Sequence, residues 1–437
     1  MGAFTQLGVA LLMVLVALPV TALETQTLFR LTGSNTIGAE LGPALVRGYL
    51  ESLGGRRIDQ RSAGEQHWIT AELSGRRVQV PIIARGSSTG FKALDTGSAD
   101  IGMASRRIKP AEINRLARFG DMTGVAAEHV IGLDALVVSV HPMNSVQQLT
   151  IEQLQRIYRG EIRNWRELGG ADQPVYPLHR DIESGTRATF DSEIFGGSRQ
   201  AEPHVYEVSG NAETRELVMS RPGAIGYLPF ADATGVKKVA IKAGQLAAVV
   251  PDRGIVATED FPLTRRLYLY RNPAQYHPQV EDFLRYVESA AGQALVADTG
   301  FINLSPVALE ITPYPNAPGD YQALMREAQR LSISFRFADG SAELDNRALK
   351  DLRRLEDYLQ QAERELELTL VGFSDHGSNS NITDLISRFR ALKVRGALLR
   401  EHSISNINVM ALGAFAPLAA NAGQAPFKNS RVEVWIR

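Results

Sequence analysis

Apolar runs of strand length alternate with segments of helical periodicity over most of the chain. The run that ends at Gly33 precedes a helix predicted over 39–53, where Leu41, Leu45 and Tyr49 recur at helical spacing. The alternation continues to about Leu304, with further strands predicted at 78–84, 100–105, 130–140, 175–179, 224–228 and 267–270 and helices at 91–95, 151–158, 189–195 and 278–289. Strands that alternate with helices predict an α/β fold on a mainly parallel sheet.

Three of the predicted strands run into short loops of Gly, Ser and Thr that continue as helices, at 33–38, 86–90 and 183–187. A helix start presents unpaired N–H donors and a partial positive charge, and small hydroxyl residues let a tetrahedral oxyanion approach closely. Arg180 stands just ahead of the third loop. The repetition predicts one convergent anion site, with ordinary N-caps as the alternative interpretation of each serine.

The pattern changes beyond residue 304. Residues 305–320 contain four prolines and are interpreted as a linker. After it, strands are predicted at 333–337, 366–371, 407–412 and 431–436, and helices at 346–361 and 382–401. This order predicts a small separate α+β domain of βαβαββ type over 321–437.

The N-terminal segment 7–20 is apolar but too short to span a membrane, and is typical of a secretory signal peptide cleaved after Ala22. The alternative is a buried N-terminal helix. The sequence contains no cysteine, which excludes disulfides, thiolate metal sites and an acylated lipoprotein cysteine. No other segment predicts a membrane span. We expect a signal peptide over 1–22 and a soluble periplasmic protein.

Charge and histidine placement narrow the function classes further. Lys and Arg number 47 against 48 Asp and Glu, so no general attraction to nucleic acid is expected. The histidines lack ligand spacing, so neither a metal site nor a cofactor is predicted; they stand at positions 67, 129, 141, 179, 204, 277, 376 and 402. Arg106 and Arg107 either edge a cleft or form a solvated rim.

An enzymatic alternative comes from the second loop. The residues GSSTG at 86–90 satisfy the pattern G-x-S-x-G, in which Ser88 would be the nucleophile of a hydrolase. Such an enzyme needs a histidine base, an acid and an upstream oxyanion loop, and the sequence has no loop of the HGGG type. We therefore expect a protein that is not an enzyme.

Five separated segments carry a resemblance to a known family: LTGSNTIG at Leu31, RGSSTGFKALDTGSADIGMASR at Arg85, LTIEQLQRIYRGEIRNW at Leu149, HRDIESGTR at His179 and PGAIGY at Pro222. They occur in family order, and the region from about 27 to 304 resembles the phosphate-binding proteins of the phosphate ABC transporter. The resemblance implies a two-lobed type II periplasmic binding protein over 23–304, with two crossovers, that closes on its anion.

Position by position, the resemblance also implies a set of phosphate contacts. They are Ser34, Thr36 and the amide of Ile37 in the first loop, Ser87 in the second, Ser105 after the next strand, and Arg180, Ser184, Gly185 and Thr186 in the second lobe. Hydroxyls and amides would supply neutral donors, and Arg180 a bidentate charge. Two departures stand out: Ser105 occupies a position where family members carry Asp, and the segment 55–79 is a longer, polar hairpin insertion.

The C-terminal region from about 332 to 436 resembles the OmpA-like family that holds proteins to peptidoglycan. The resemblance rests on FADGSAEL at Phe337, VGFSDHGS at Val371, ISRFRALKV at Ile386 and NSRVEV at Asn429. It implies that Asp375 and Arg390 bind diaminopimelate of the peptide stem, an anion for the ammonium and a guanidinium for the carboxylate. Gly377 sits one place early for the family, and Pro426 stands where Arg is usual.

Together these observations predict an exported protein that binds inorganic phosphate and is held to peptidoglycan, for phosphate uptake through an ABC permease or for sensing. The alternatives are a phosphate-ester hydrolase that uses Ser88, and a structural cell-wall protein with a vestigial anion site. Because the two domains are interpreted as separate units, the phosphate site is expected to be indifferent to removal of the C-terminal domain.

Overall fold

The structure is a computed structural model, and it describes residues 25–182, 184–197, 204–243, 248–311, 316–337, 343–375, 380–401, 404–415 and 429–437. The predicted signal peptide, Gly377, Pro426 and the histidines at 376 and 402 lie outside the described residues. No helix within the described ranges is long and apolar enough to cross a membrane.

The described strands run in chain order as follows: β1 (Gln26–Thr27), β2 (Leu31–Gly33), β3 (Arg56–Ala63), β4 (Gln66–Leu73), β5 (Arg76–Ala84), β6 (Ile101–Ala104), β7 (Glu128–Val140), β8 (Gln148–Thr150), β9 (Tyr176–Arg180), β10 (Tyr206–Val208), β11 (Ala224–Pro229), β12 (Lys237–Lys238), β13 (Ala240–Lys242), β14 (Thr264–Arg271), β15 (Ala308–Leu309), β16 (Gln329–Arg336), β17 (Leu368–Gly372), β18 (Ile407–Ala411) and β19 (Arg431–Ile436).

The described α-helices are α1 (Asn35–Gly38), α2 (Leu41–Ser52), α3 (Ser87–Thr96), α4 (Pro110–Leu116), α5 (Ile151–Tyr158), α6 (Gly185–Phe195), α7 (Asn211–Ser220), α8 (Arg253–Ala257), α9 (Pro278–Glu288), α10 (Ala290–Asp298), α11 (Gly319–Glu327), α12 (Asn346–Gln360) and α13 (Ser380–Glu401). Helices α3 and α6 begin earlier than the sequence pattern predicts, so the second and third loops contribute residues to the first helical turn.

The N-terminal sheet has the strand order β10-β9-β11-β7-β14-β6-β2-β5-β4-β3. We call the part from β6 to β3, with helices α1 to α3, α9 and α10, the first lobe, and the part from β11 to β10, with helices α5 to α7, the second lobe. Strand β2 pairs in parallel with β5 and β6, and β9 with β10 and β11. The predicted α/β fold is therefore present, but the prediction of a mainly parallel sheet is wrong, because β7 and β14 pair antiparallel with each other and with their neighbours, and so do β3, β4 and β5.

Two antiparallel strands, β7 and β14, join the lobes. Every residue of β7 is buried. Its first half pairs with β14, which in turn pairs with β6 of the first lobe, and its second half pairs with β11 of the second lobe. Each of these strands is a crossover between the lobes. The chain passes from the first lobe to the second along β7 and returns to the first lobe along β14.

The polar insertion at 55–79 forms an antiparallel hairpin. Strand β3 pairs with β4, and β4 with β5, so the insertion extends the first-lobe sheet at its edge. Strand β3 is largely exposed, in keeping with its Arg, Asp and Gln side chains.

The C-terminal region forms a second sheet of order β15-β16-β19-β17-β18, and its central elements follow the predicted βαβαββ order. Its core includes Leu352 of α12, Leu370 of β17 and Val394 of α13. Within the predicted linker, Ala308–Leu309 pairs with β16 and α11 begins at Gly319. Gly372 allows α13 to lie close on β17, because a Cβ there would stand 2.0 Å from the Ser387 carbonyl oxygen.

The C-terminal sheet and helix α12 also contact the N-terminal sheet beside its crossover strands. Asp345, the N-cap of α12, accepts a hydrogen bond from Arg266 of β14 at 2.7 Å. The side chain of Arg330 in β16 lies 2.5 Å from that of Asp260, just before β14. The two regions are thus joined by ion pairs as well as by the chain.

Candidate functional site

The three predicted loops all follow strands of the parallel parts of the sheet. The loop after β2 leads into α1, the loop after β5 into α3, and the loop after β9 into α6. The first two belong to the first lobe and the third to the second lobe. Ligands of open α/β sheets bind at such carboxyl ends of strands, where loops from neighbouring strands meet.

The structure brings hydroxyls from the two lobes into contact. The hydroxyl oxygens of Thr36 in the first lobe and Thr186 in the second lobe lie 3.2 Å apart, and within the first lobe those of Ser87 and Ser105 lie 3.5 Å apart. The Ser105 amide also donates to the Ser87 hydroxyl at 3.1 Å. All four side chains are buried. The predicted contact residues of both lobes therefore face one another in a closed cleft.

Gly185 is the residue that makes this approach possible. A Cβ at this position would stand 2.2 Å from the hydroxyl oxygen of Ser87 and 2.3 Å from that of Ser105. Neither distance is tolerable for a real Cβ, so a side chain at position 185 would push the lobes apart. The absence of a side chain leaves the start of α6 open to the first lobe.

The N-cap interpretation fits one of the three serines. Ser184 caps α6, since its hydroxyl accepts from the Arg187 amide at 3.3 Å. Ser87 lies inside α3, whose N-cap is Gly86. Ser34 precedes α1 but makes no capping bond, and its buried hydroxyl has no hydrogen-bond partner among the described residues. A buried hydroxyl without a partner is costly, and a bound oxyanion would satisfy it.

Arg180 ends β9 and is buried, as a bound cation of the site should be. Its guanidinium donates to Asn211 and, at 3.2 Å, to the carboxylate of Asp181, while its Nε has no hydrogen-bond partner among the described residues. Asn211 in turn donates to Asp232 at 2.6 Å. Burial raises the pKa of Asp232, and the hydrogen bond from Asn211 opposes that shift.

A second arginine, which the sequence analysis missed, contacts the hydroxyls directly. Arg265 of β14 donates to the hydroxyls of Thr186 at 3.0 Å and Thr36 at 3.3 Å. Its Nε and Nη2 atoms also donate to Asp134 of β7 at 2.8 and 2.6 Å. Asp134 is fully buried, and its other carboxylate oxygen accepts from the Phe230 amide at 2.7 Å. This ion pair therefore joins both crossover strands to both lobes.

One signal in the sequence could have identified this pair. Asp134 is a charged residue inside the apolar run predicted as the strand 130–140, and a buried carboxylate requires a partner. The partner was missed because the strand predicted at 267–270 extends to Thr264–Arg271 and includes Arg265.

Ser88, the alternative nucleophile, lies beside a cation. Its hydroxyl accepts from Arg106 at 3.1 Å, and a guanidinium cannot act as a base. Arg106 is buried and bound by Glu112 at 2.7 Å, so the solvated-rim interpretation is wrong for this residue. The side chain of Arg107 is more exposed and lies 3.4 Å from Glu128.

Among the described residues there is no cluster of three or more His, Cys, Asp or Glu side chains that could hold a metal ion.

The proposed peptidoglycan pair lies in the C-terminal domain. Asp375 follows β17 and accepts from Asn429 at 2.9 Å. Arg390 of α13 donates to the Phe373 carbonyl at 3.4 Å, and its guanidinium lies over the ring of Phe337 at 5.3 Å. Burial lowers the pKa of Arg390, and the nearby charge of Asp375 opposes that shift. The two predicted residues are thus close enough to interact electrostatically.

Comparisons with known proteins match two separate parts of the chain. A family model described as "PBP superfamily domain" matches residues 63–291, and the OmpA family model matches residues 336–431. The phosphate-binding protein PstS of Bacillus subtilis (strain 168) is 30% identical over 224 residues, which are 51% of this chain and 70% of that protein. The protein of the same name from Pseudomonas aeruginosa (strain PAO1) is 33% identical over 247 residues, 52% of this chain and 75% of its own length.

Among solved structures, an ABC-type phosphate transport receptor from Vibrio cholerae is similar to this chain at 23% identity with a TM-score of 0.49. The similarity covers 63% of this chain and 99% of the receptor.

We expect Asp134→Ala to lower the free energy of unfolding by about 3 to 5 kcal/mol, because Arg265 would stay buried without its counter-charge. Urea denaturation measures the change. The double variant Asp134→Ala/Arg265→Ala should recover part of the loss, since it removes the unpaired charge. Arg57→Ala, which breaks an exposed ion pair with Glu72, should cost less than about 1 kcal/mol. A loss for Asp134→Ala as small as that of Arg57→Ala would contradict the role of the buried pair.

Proposed function

Because the chain belongs to the PBP superfamily, within the family of the proteins named PstS, and carries an OmpA family region, we propose that it binds inorganic phosphate between its two lobes and peptidoglycan through its C-terminal domain. The protein acts as a binding protein and not as an enzyme. Its residues for phosphate are Ser34, Thr36, Ile37, Ser87, Ser105, Arg180, Ser184, Gly185 and Thr186, together with Arg265.

The observation that carries the phosphate proposal is the meeting of buried hydroxyl groups from both lobes around Arg265. Thr36 of the first lobe and Thr186 of the second lobe both accept from this guanidinium. A tetrahedral oxyanion has acceptors in several directions, and hydroxyls and amides that converge from two lobes supply donors in matching directions.

The charges of the site are partly balanced before any anion binds. Asp134 neutralises Arg265, and Asp181 lies 3.2 Å from Arg180. Net attraction then comes from the partly paired Arg180, from the N-terminal ends of α3 and α6 and from the hydroxyl donors. Such a site suits phosphate, which brings its own charge and can also donate a proton.

The C-terminal proposal rests on Asp375 and Arg390. Their opposite charges lie close enough to interact and suit the zwitterionic end of diaminopimelate. Peptidoglycan association would put the protein in the periplasm, where a tethered binding protein would hand phosphate to an ABC permease or report its concentration.

We expect Arg180→Ala to weaken phosphate binding by about a hundredfold, since loss of a charge-assisted contact in a desolvated cleft costs about 2 to 4 kcal/mol. Isothermal titration calorimetry with phosphate gives the affinity. Arg166→Ala, which removes an exposed arginine of the second lobe, is the matched control and should bind like the parent.

Gly185→Ala tests the same site without removing a charge, because its Cβ would collide with Ser87 and Ser105. Gly210→Ala, where a Cβ meets nothing within 4 Å, is its control. If Arg180→Ala and Gly185→Ala both bind phosphate within threefold of the parent, the site assignment fails. A parent whose melting temperature is unchanged by phosphate, sulfate, molybdate and arsenate would favour the structural cell-wall alternative.

We expect the parent to discriminate weakly between phosphate and sulfate, and Ser105→Asp to improve discrimination by at least about tenfold. A carboxylate at position 105 would accept the proton of hydrogen phosphate and repel sulfate, whereas the Ser105 hydroxyl adds no charge. Competition titrations with sulfate at pH 7 measure the ratio, and Ser105→Asn separates charge from size. A parent that already ignores millimolar sulfate, together with an unchanged Ser105→Asp variant, would show that another acceptor selects the ligand.

We expect Asp375→Ala and Arg390→Ala to abolish co-sedimentation of the full-length protein with purified peptidoglycan sacculi. Each substitution removes one of the two charges that a zwitterionic ligand needs. Asp357→Ala, which removes an exposed carboxylate of α12, controls for a general change in surface charge and should sediment like the parent. Retention of both site variants on sacculi would rule out this pair as the binding residues.

A further inference from the structure

One helix of the C-terminal domain contacts the binding domain at both ends of its crossover strands β7 and β14. Near the start of α12, Asn346 donates to the Thr123 carbonyl at 2.7 Å and to the Glu128 carboxylate at 3.1 Å. One turn later, Lys350 donates to Glu288 and, at 3.1 Å, to His129. Glu128 and His129 begin β7 where it pairs with the first-lobe half of β14, and Glu288 ends α9 of the first lobe.

The crossover strands β7 and β14 form the hinge between the lobes. The same helix and strand β16 contact the second-lobe end of this hinge. Arg347 of α12 lies 3.2 Å from Glu259 and donates to the Ala257 carbonyl at 3.4 Å. The segment 257–260 precedes the end of β14 at which Thr264 pairs with Ala135, on the second-lobe side. Asn346 and Lys350 therefore contact the first-lobe end of the crossover strands, and Arg347 the segment at their second-lobe end, from neighbouring positions of one helix.

Strand β16 adds two buried arginines to the second-lobe contact. Arg330 lies 2.5 Å from Asp260, and Arg336 donates to the Thr258 carbonyl at 3.1 Å and the Glu259 carbonyl at 3.3 Å. Arg330 also lies 3.4 Å from Glu433 of its own domain. Removing such charges from water is costly, and the acceptors on the second-lobe side offset that cost only while the domains are docked.

Glu259 is the centre of this contact. Its backbone φ is +59°, an unfavourable value for a residue with a Cβ, and its carboxylate accepts from Arg266 of β14 at 2.6 and 3.0 Å. Burial would raise its pKa, but the charges of Arg266, Arg347 and Arg336 outweigh burial and hold the pKa well below its ordinary value. Glu259 is thus a charged carboxylate shared by the hinge strand and the C-terminal domain.

The hinge strand links this interface to the anion site. Successive side chains of a strand point to opposite faces, so Arg265 and Arg266 diverge. Arg265 contacts Asp134, Thr36 and Thr186 in the cleft, and Arg266 contacts Glu259 and Asp345 at the interface. A change in the position of β14 must alter both sets of contacts.

We infer that the C-terminal domain is a closure-dependent partner of the two-lobed domain: its docking surface is complete only when the lobes are closed, so docking and anion binding stabilise each other. The inference rests on the proposed phosphate function and adds an interdomain coupling to it. A rigid helix cannot keep its contacts with Glu288 at the first-lobe end of the crossover strands and with Ala257 and Glu259 at their second-lobe end if these strands bend as the lobes separate. Coupling of this kind is reciprocal, so the same factor that docking adds to phosphate affinity is added by phosphate to docking.

The variant Asn346→Ala/Lys350→Ala removes the first-lobe contacts of α12 and touches no residue of the anion site. In the full-length protein we expect it to bind phosphate about tenfold more weakly than the parent, with unchanged stoichiometry, in calorimetric titration. Arg353→Ala, an exposed cation of the same helix, is the matched control and should bind like the parent.

A distance measurement reads docking directly. Because the chain has no cysteine, spin labels can be placed at Tyr276→Cys and Asp357→Cys, two exposed positions on the first lobe and on α12. Pulsed electron paramagnetic resonance should give a narrow distance distribution that phosphate narrows further, and a broad one in Asn346→Ala/Lys350→Ala. Gly185→Ala, which obstructs closure, should broaden the distribution without any ligand.

The outcomes separate the two proposals. A parent that does not titrate with phosphate overturns the proposed function, and the coupling to phosphate with it. A parent that titrates, with a double variant of equal affinity and a distance distribution insensitive to phosphate and to Gly185→Ala, overturns the coupling alone. A tenfold loss of phosphate affinity in the double variant, with a broadened distance distribution, supports the coupling. The expectation that the phosphate site is indifferent to the C-terminal domain would then be wrong.

Discussion

The ion pair between Arg265 and Asp134 is the interaction on which the arrangement of the two lobes depends. It lies between the crossover strands β14 and β7, is buried, and has its remaining donors on Thr36 and Thr186. Breaking a buried pair by removing one partner costs more than forming it gains, because the other charge stays desolvated. The pair therefore fixes the relative position of two strands that belong to both lobes, and through the two threonines it places one loop of each lobe opposite the other.

Although the net charge of the chain is near zero, its buried charged side chains are concentrated beside the hinge. The chain carries a formal net charge of −1, yet buried arginines cluster beside the hinge and each has at least one carboxylate within a few ångströms. Two consecutive arginines of β14 contact different parts of the molecule: Arg265 binds groups in the cleft, and Arg266 binds the C-terminal domain. Arginine suits this role because it stays charged and its planar group binds carboxylates in two places at once.

Local patterns in the sequence predicted many of the elements, the three loops and the two regions of the chain, but not helices such as α4, α7 and α10. Periodicity and Gly/Ser/Thr loops are predictable in this way because they are properties of neighbouring residues. Contacts between distant residues were not predictable in the same way. Arg265 and Asp134 are 131 positions apart, and their pairing depends on the register of β7 with β14. Arg106 was open to interpretation as a rim residue because its contacts with Ser88 and the Phe91 ring join it to helix α3, and the local pattern does not contain such contacts. Ser184 behaves as the N-cap its position suggests, whereas Ser34 does not, and only packing distinguishes them.

The interface beside the hinge also connects the two proposed binding sites through adjacent residues of β16 and its C-terminal extension. Phe337 lies under the guanidinium of Arg390, and its neighbour Arg336 contacts Thr258 and Glu259, which reach β14 through Arg266. A cavity of about 270 Å³ lies among these groups, lined by Arg265, Arg266, Arg336 and Phe337. Space beside a network of charges allows small shifts that a close-packed apolar contact would resist. If the domain binds peptidoglycan through Arg390, as proposed, the residues that bind it contact, through Phe337, Arg336 and Glu259, the strand that carries Arg265.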